Sequence, residues 1–354
     1  MRVGETRRGT SPAVIVASPL GFPVVVHIGY HRTASTWFQQ MALRNHDGIH
    51  PILGGSEFGV VASDAFVRQL VFARDSDFDP DEARRLFLAR VDDSAVATGR
   101  TVVLSAERLS GHAASGGYDA VRIADRLHAV LPEARVLCVL RHQAEAIRSE
   151  YKQIVTAGWP GSLADTLAPR PRMKTTGIDL AYWEYHRLMA AYARRFGRDN
   201  VKLVDFGEFT RATEAVLKDI ATFLGIAAWS LDAVQLATRL NEGVSDRQTR
   251  VRQVLNRVTR SELNPFPVVD LPDRLSAAVV RWSALGGPGR PLFEEGFDDW
   301  VEERYRASNG RLADEWGLVL TRSPAGTTRA PAGASPGARR ARPGPWRPAP
   351  ATHW

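Results

Sequence analysis

Short apolar runs rich in β-branched residues alternate along this chain with longer stretches of helical composition. Four of the runs are continuously apolar, as expected of strands that are buried on both faces of a sheet. They cover residues 23–28, 101–105, 135–140 and 201–204. The helical stretches cover residues 33–44, 80–91, 119–130, 143–156, 178–197, 212–224, 231–241, 247–260, 272–285 and 293–317. This alternation predicts an α/β fold, in which helices cover both faces of a central parallel sheet and ligands bind at the carboxyl ends of the strands.

The segment after the first predicted strand has the composition of an anion-binding loop. The apolar run 24–28 ends at Gly29, and the basic, hydroxyl-rich segment 30–36 leads into the next predicted helix. Amide groups at a helix N-terminus point towards a bound anion, and the helix dipole favours its negative charge. The hydroxyl side chains add further donors. The sequence therefore predicts that this loop holds a phosphate or a sulfate group.

The spacing within this loop distinguishes two kinds of phosphate site. Loops that bind nucleoside triphosphates carry a lysine directly before the final Ser or Thr. Here Ser35 takes the place of that lysine, and the basic residue Arg32 lies three positions earlier. The segment Arg32-Thr33-Ala34-Ser35-Thr36-Trp37 instead resembles the 5′-phosphosulfate loop of sulfotransferases that use 3′-phosphoadenosine 5′-phosphosulfate (PAPS), usually Lys-Thr-Gly-Thr-Thr-Trp. The resemblance implies a P-loop-like three-layer fold. A plain hydroxyl-rich turn is the alternative interpretation.

A second motif follows the third predicted strand. Arg141 ends this strand and Ser149 lies eight residues later in the next predicted helix, so that a guanidinium and a hydroxyl could converge on one phosphate. PAPS-dependent sulfotransferases bind the 3′-phosphate through Arg-Asp-Pro, five residues and Ser-x-Tyr. Arg141, Ser149 and Tyr151 match this pattern at its spacing, although His142-Gln143 replaces Asp-Pro. The alternative is an arginine salt-bridged at the sheet edge and a serine on a solvated helix face.

Glu107 follows the second predicted strand and is the candidate base. A carboxylate at this end of the sheet would face the same crevice as Arg32, and it could accept the proton of an acceptor hydroxyl. Carbohydrate and bacterial sulfotransferases often carry Ser-x-Glu here, which Ser105-Ala106-Glu107 resembles, whereas other branches use a histidine, for which His112 is the candidate. An ion pair between Glu107 and a neighbouring arginine is the structural alternative.

The resemblance implies a role for each residue of these motifs. The amides of residues 31–36 and the loop hydroxyls would hold the 5′-phosphosulfate, and Arg32 would neutralise charge on the leaving oxygen. Trp37 would stack on adenine, unless it packs in the core. The predicted cofactor-binding residues are His31, Arg32, Thr33, Ala34, Ser35, Thr36, Trp37, Arg141 and Ser149. The predicted catalytic residues are Glu107 and Arg32, and no metal is expected.

Together the motifs predict a PAPS-dependent sulfotransferase of the bacterial or carbohydrate-type branch. Its acceptor would be a hydroxyl of a small molecule, a carbohydrate or a lipid, glycolipids included. One alternative is a P-loop kinase, which would need a loop lysine and an acidic strand end for magnesium; the lysine is missing, but Asp205 could hold the metal. The other alternative is a non-catalytic nucleotide-binding protein, motivated by Arg32 and by Ala34, which fits in place of glycine only at negative φ.

Composition divides the chain into a central globular part and two terminal segments. Residues 1–22 are predicted to form a flexible extension, 23–321 the sulfotransferase-like domain and 322–354 a disordered Pro/Ala/Arg-rich tail. The formal charge is +7, but six arginines lie in the acid-free tail, so we expect no nucleic-acid partner. The lone Cys138 cannot form an internal disulfide. Since no run of about 18 apolar residues occurs, we expect no transmembrane segment and a cytoplasmic location.

Overall fold

A five-stranded parallel sheet forms the centre of the computed structural model. The strands are β1 (Val24–His27), β2 (Ile49–Leu53), β3 (Thr101–Ser105), β4 (Arg135–Leu140) and β5 (Val201–Asp205). They lie in the order β2-β3-β1-β4-β5, and every neighbouring pair is parallel. The structure describes residues 20–54, 64–113, 116–167, 178–238, 244–261, 266, 268–269, 271–286 and 291–324. Because β1 lies between β3 and β4, the loops that follow these three strands are neighbours at one edge of the sheet.

Helices account for most of the remaining described residues. They are α1 (Ser35–Trp37), α2 (Ala65–Val67), α3 (Pro80–Leu88), α4 (Asp93–Ala97), α5 (Ala120–Val130), α6 (Gln143–Thr156), α7 (Leu163–Leu167), α8 (Tyr185–Phe196), α9 (Phe206–Arg211), α10 (Thr213–Leu224), α11 (Ala233–Ala237), α12 (Asp246–Asn256), α13 (Asp273–Ser283) and α14 (Phe297–Trp316). The π-helical segments Phe38–Leu43 and Arg68–Phe72 continue α1 and α2. Short 3₁₀ segments cover Glu107–Ser110, Leu180–Trp183, Arg198–Asn200 and Ala284–Gly286.

The sheet carries an apolar core on each of its faces. Successive side chains of a strand point to opposite faces, so Val24 and Val26 join one cluster while Val25 joins the other. The first cluster is completed by α3, α5, α6, α8 and α14, and the second by the segment after α1 together with α9 and α10. The predicted parallel sheet with helices on both faces is confirmed. Burial on both faces explains why these strands are continuously apolar.

The edge strand β2 was not predicted, and its sequence explains why. His50 and Pro51 interrupt the apolar run of Ile49–Leu53. Proline cannot donate a ladder hydrogen bond and is tolerated only where one side of a strand is unpaired, which β2 provides as the last strand of the sheet. The stretch predicted as a helix over 178–197 contains the 3₁₀ segment Leu180–Trp183 followed by α8.

The last described residues pack against the domain. The amide of Thr321 donates to Asp205 Oδ1 over 3.1 Å, and that of Ser323 donates to Glu145 Oε1 over 2.9 Å. The packed part of the chain thus reaches past the predicted boundary at residue 321. The rest of the predicted tail, 325–354, and residues 1–19 of the predicted extension lie outside the described residues. Within the described ranges, no helix is both long enough and apolar enough to cross a bilayer.

Candidate functional site

Three adjacent strands deliver the predicted site residues to one edge of the sheet. The loop 28–34 follows β1, Glu107 opens the 3₁₀ segment after β3, and Arg141 follows β4. Ligands of open α/β sheets bind in the crevice beyond the carboxyl ends of such strands. The fold therefore brings together the parts of the chain that the sequence motifs single out.

The loop after β1 has an unusual backbone that places α1 at the crevice. Arg32 and Ala34 have φ of 68° and 58°, in the left-handed region, which costs a side-chain-bearing residue about 1–2 kcal/mol. The Thr33 hydroxyl donates to the carbonyl of Tyr30 over 2.6 Å and so fixes the turn. Helix α1 begins directly after Ala34, with no side-chain cap on its first amides. The negative φ on which the alanine substitution depended is therefore absent, and the turn forms at an energetic cost.

The two sequence motifs meet directly at this loop. Arg32 Nε donates to Ser149 Oγ over 3.0 Å, and Arg141 Nη1 donates to the Arg32 carbonyl over 3.0 Å. The Arg32 side chain thus contacts the Ser149 hydroxyl, and the Arg141 guanidinium contacts the Arg32 backbone, beside the N-terminus of α1. This set of donors has the chemistry of a phosphate or sulfate site.

The Arg141 side chain is held in place by residues that the sequence motifs do not include. Its Nε donates to Glu145 Oε2 over 3.0 Å, and its guanidinium lies over the Phe206 ring, 4.8 Å from the ring centroid. Glu145 is itself buried and accepts two hydrogen bonds of 2.9 Å from Ser323. The pairing is local in sequence, because Glu145 lies in the first turn of α6, only four positions after Arg141, and this short separation is a recognisable signal. No such signal exists for Ser323, which lies far away in the sequence.

Glu107 and His31 form the second pair of the site. Glu107 Oε2 lies 3.7 Å from His31 Nδ1, and His31 Nε2 lies 3.1 Å from the Gly111 carbonyl. Because a carbonyl oxygen only accepts, Nε2 is the nitrogen that carries a proton, whereas the 3.7 Å separation between Nδ1 and the carboxylate is longer than a hydrogen bond. His31 is buried, whereas the Glu107 side chain is 29% exposed. The rival base, His112, follows the 3₁₀ segment, and its amide donates to Asp119 over 3.2 Å.

A buried histidine that sequence reasoning missed lies below the loop. His27 Nδ1 is 2.7 Å from Ser105 Oγ, which also accepts from Gln39 Nε2 over 3.0 Å. A Cβ atom built on Gly29 would lie 3.4 Å from His27 Nε2 and 2.3 Å from Ser35 Oγ, so only glycine fits there. Within the described structure His27 Nε2 has no hydrogen-bond partner. Burial lowers the pKa of His27 to about 4, so that the imidazole is neutral at pH 7.

The remaining loop residues differ in their burial and in their contacts with the rest of the protein. Trp37 is buried edge-to-face against Phe209 at 5.7 Å, and its indole N–H donates to the Gln235 carbonyl over 3.2 Å. Trp37 therefore packs in the core, which is one of the two roles predicted for it. Its contact with adenine stays a prediction. Ser35 Oγ is buried 3.4 Å from the Thr33 hydroxyl, and Thr36 is exposed.

The described residues contain no group of three or more His, Cys, Asp or Glu side chains that could hold a metal ion. That the reaction needs no metal stays a prediction.

The segment that contains the second motif matches a known family. Residues 118–230 match the family model described as "Sulfotransferase family". The predicted resemblance to sulfotransferases is confirmed. The matched segment runs from just before α5 to just past α10, and it includes Arg141 and Ser149 of the sulfotransferase-like pattern. It does not include Arg32 or Glu107, and the roles of all four residues stay predictions.

Solved sulfotransferase structures resemble the chain at low identity. A sulfotransferase from Alicyclobacillus acidocaldarius is 18% identical with a TM-score of 0.44, over 73% of this chain and 98% of its own. The sulfotransferase domain of the Synechococcus PCC 7002 olefin synthase is 14% identical with a TM-score of 0.37, over 80% and 95%. A mouse sulfotransferase complexed with PAP is 15% identical with a TM-score of 0.39, over 84% and 89%. No curated protein matches the chain significantly.

Proposed function

We propose that the protein transfers a sulfuryl group from PAPS to a hydroxyl of a small-molecule, carbohydrate or lipid acceptor. The observation that carries this proposal is the contact of Arg32 with Ser149 and of Arg141 with the Arg32 carbonyl. Arg32 belongs to the motif that resembles a 5′-phosphosulfate loop, and Arg141 and Ser149 belong to the motif that resembles a 3′-phosphate site. Their contact brings the two motifs together at one place. The family match over residues 118–230 supports the same activity.

The donors around the loop fit the two anionic ends of PAPS. Arg141 and Ser149 would bind the 3′-phosphate, and the amides of residues 31–36 with Arg32 would bind the 5′-phosphosulfate. Ser35 and Thr36 would add hydroxyl donors. The turn is fixed by the Thr33 hydroxyl and Arg141 is braced by Glu145, so the fold itself holds both groups in position.

The residues beside the loop supply the chemistry of the transfer. PAPS bound here would supply an activated sulfuryl group whose leaving group is a phosphate oxygen. Glu107 would accept the proton of the acceptor hydroxyl as that oxygen attacks sulfur. Arg32 would stabilise charge on the leaving oxygen, and its help is electrostatic because arginine stays protonated. His31 would orient the carboxylate of Glu107 from the loop itself, through the 3.7 Å contact.

The kinase alternative is disfavoured by the position of Asp205. This residue is buried, its Oδ2 accepts the amide of Glu208 over 2.9 Å, and its Oδ1 accepts that of Thr321 over 3.1 Å. A carboxylate that caps α9 and anchors the chain beyond α14 is a poor magnesium ligand, because both oxygens already accept hydrogen bonds. The loop also lacks the lysine that a kinase requires.

Ligand binding and turnover together test the proposal. Thermal unfolding is compared with PAP, with ATP and magnesium, and without ligand; a ligand at about 100 times its Kd stabilises by about 2.7 kcal/mol. We expect a shift with PAP that is lost in Arg141→Ala. The matched control is Arg148→Ala on α6, two turns further along the chain, because Arg148 pairs with Asp298 over 2.5 Å instead. A shift only with ATP and magnesium would support a kinase. PAP binding without PAP release from PAPS, across a panel of hydroxyl acceptors, would indicate a non-catalytic binding protein.

A further inference from the structure

Exposed apolar side chains are concentrated in one segment of the chain. We use the term arm for residues 244–286, which contain α12, α13 and the connection between them. Fifteen large apolar side chains are exposed in the described ranges, and eight of them lie on the arm. They are Val254, Phe266, Val268, Val269, Leu275, Val279, Trp282 and Leu285. Single exposed apolar residues are normal, whereas a contiguous apolar surface on a folded domain marks an interaction site.

Helix α13 presents its apolar residues to solvent as a continuous stripe. Leu275, Val279 and Trp282 follow one another at spacings of four and three residues, so they share a face of the helix. They are 55%, 48% and 77% exposed. Val280, which points to another face, is buried. The helix is therefore packed on one side and has a second apolar side that the described residues do not cover.

Arginines line this apolar stripe. Four arginines are exposed on the described part of the arm: Arg257, Arg260, Arg274 and Arg281. Arg274 and Arg281 are seven residues apart on α13, and so both lie along one flank of the stripe. A helix with Trp and Leu on one face and arginines beside it has the composition of helices that lie in the interface of a membrane.

The arm is joined firmly to the helix that carries Ser149. Lys152 of α6 pairs with Asp246 over 2.8 Å and donates to the Val244 carbonyl over 2.9 Å. Further along, Asn256 Nδ2 donates to the carbonyls of Val155 and Trp159 over 2.7 and 3.1 Å. The inner helix α12 is thereby fixed to the domain, whereas the stripe of α13 faces outwards.

From this arrangement we propose that the arm docks the protein on an anionic lipid surface. The side chains of Leu275, Val279 and Trp282 enter the boundary between head groups and acyl chains, and the flanking arginines contact the anionic head groups. A second copy of the chain fits this stripe less well than an anionic lipid surface does. An antiparallel copy packed on the same stripe would bring the arginine flank of one helix against the arginine flank of the other.

Vesicle binding of the full-length protein tests this docking surface without requiring turnover, and so independently of the proposed function. Flotation is measured with phosphatidylcholine vesicles, with and without phosphatidylglycerol. We expect binding only with phosphatidylglycerol, and weakening by at least about tenfold in Trp282→Ser. Arg274→Gln/Arg281→Gln should lose about fivefold per arginine. The matched controls are Tyr118→Ser, an exposed aromatic at 67%, and Arg85→Gln/Arg306→Gln, two exposed arginines on α3 and α14.

Three results would overturn the proposal. The first is the absence of binding to anionic vesicles. The second is binding that the arm variants and the control variants weaken equally, which would assign it to other basic residues such as those of the tail. The third is a concentration-dependent dimer, seen by light scattering, that Trp282→Ser abolishes, since the stripe would then be covered by a second copy. Circular dichroism melts of each variant establish that the fold is retained.

Discussion

The guanidinium of Arg32 donates a hydrogen bond of 3.0 Å to the hydroxyl of Ser149, which lies 117 residues later in the chain. Arg32 belongs to the loop after β1 and Ser149 to helix α6 after β4. The contact forms because β1 and β4 are neighbours in the sheet although they are far apart in sequence. It brings Ser149, a residue of the predicted 3′-phosphate site, into contact with Arg32, a residue of the predicted 5′-phosphosulfate site.

Replacing Ser149 by alanine should weaken PAP binding and leave the fold intact. The hydroxyl is a single donor to an anion, and a hydrogen bond to a charged group contributes about 1.5–3 kcal/mol, so we expect a Kd about 10 to 100 times higher. Isothermal titration with PAP measures the change. Thr156→Ala is the control, because Thr156 is on the same helix but its hydroxyl donates to the Lys152 carbonyl. Equal affinities of Ser149→Ala and the unaltered protein would exclude Ser149 from the site.

The sequence was sufficient to predict the parts of this site that depend on strand order. Four strands, the loop and the arginine after β4 were predicted because continuous apolar runs and polar turns are local patterns. The contacts of Arg141 with Phe206, and of Glu145 with Ser323, could not be predicted, because they join parts of the chain whose proximity only the packed fold defines. The burial of His27 below the loop could not be predicted for a related reason, because nothing in the run 24–28 distinguishes this histidine from the other residues of the strand.

The substitution Ala34→Gly should stabilise the protein. Ala34 has φ of 58°, a conformation that glycine adopts without steric cost. Relief of that cost outweighs the added freedom of glycine in the unfolded chain, so the free energy of unfolding should rise by about 0.5–1 kcal/mol.

The control for Ala34→Gly is a glycine introduced where the backbone is ordinarily helical. Ala193→Gly in α8 should destabilise by about 1 kcal/mol. Urea unfolding curves of the two variants give both values. Destabilisation by Ala34→Gly would contradict the argument that the left-handed conformation of Ala34 strains the folded protein.

Glu107→Gln should reduce turnover while PAP binding is retained. The amide has nearly the shape of the carboxylate but cannot accept a proton from the acceptor, and loss of a general base typically lowers kcat by about 10²–10⁴-fold. Single-turnover assays with PAPS, combined with PAP titration, separate the two effects. The parallel variant His112→Asn tests the rival base. If His112→Asn loses turnover and Glu107→Gln does not, the histidine is the base.

The stability of the protein should fall as the pH is lowered from 6.5 towards 4, and His27 should account for part of the fall. Burial lowers the pKa of His27 to about 4 in the folded state, against an ordinary value of 6.5 in the unfolded chain. Above pH 6.5 the imidazole is neutral in both states and adds no pH dependence. Between these values the unfolded state binds the extra proton, so His27 lowers the free energy of unfolding by about 1.4 kcal/mol per pH unit.

The variant His27→Asn isolates this contribution, because an asparagine amide can replace Nδ1 as the partner of Ser105 without titrating. Urea unfolding at a series of pH values should give a shallower slope for the variant between pH 6.5 and 4, and parallel curves above that range. Burial also lowers the pKa of His142, but that group is present in both proteins and cancels in the difference. Identical slopes would mean that the imidazole of His27 is hydrated or charged in the folded protein. The region below the loop would then be more accessible to water than it is in the structure.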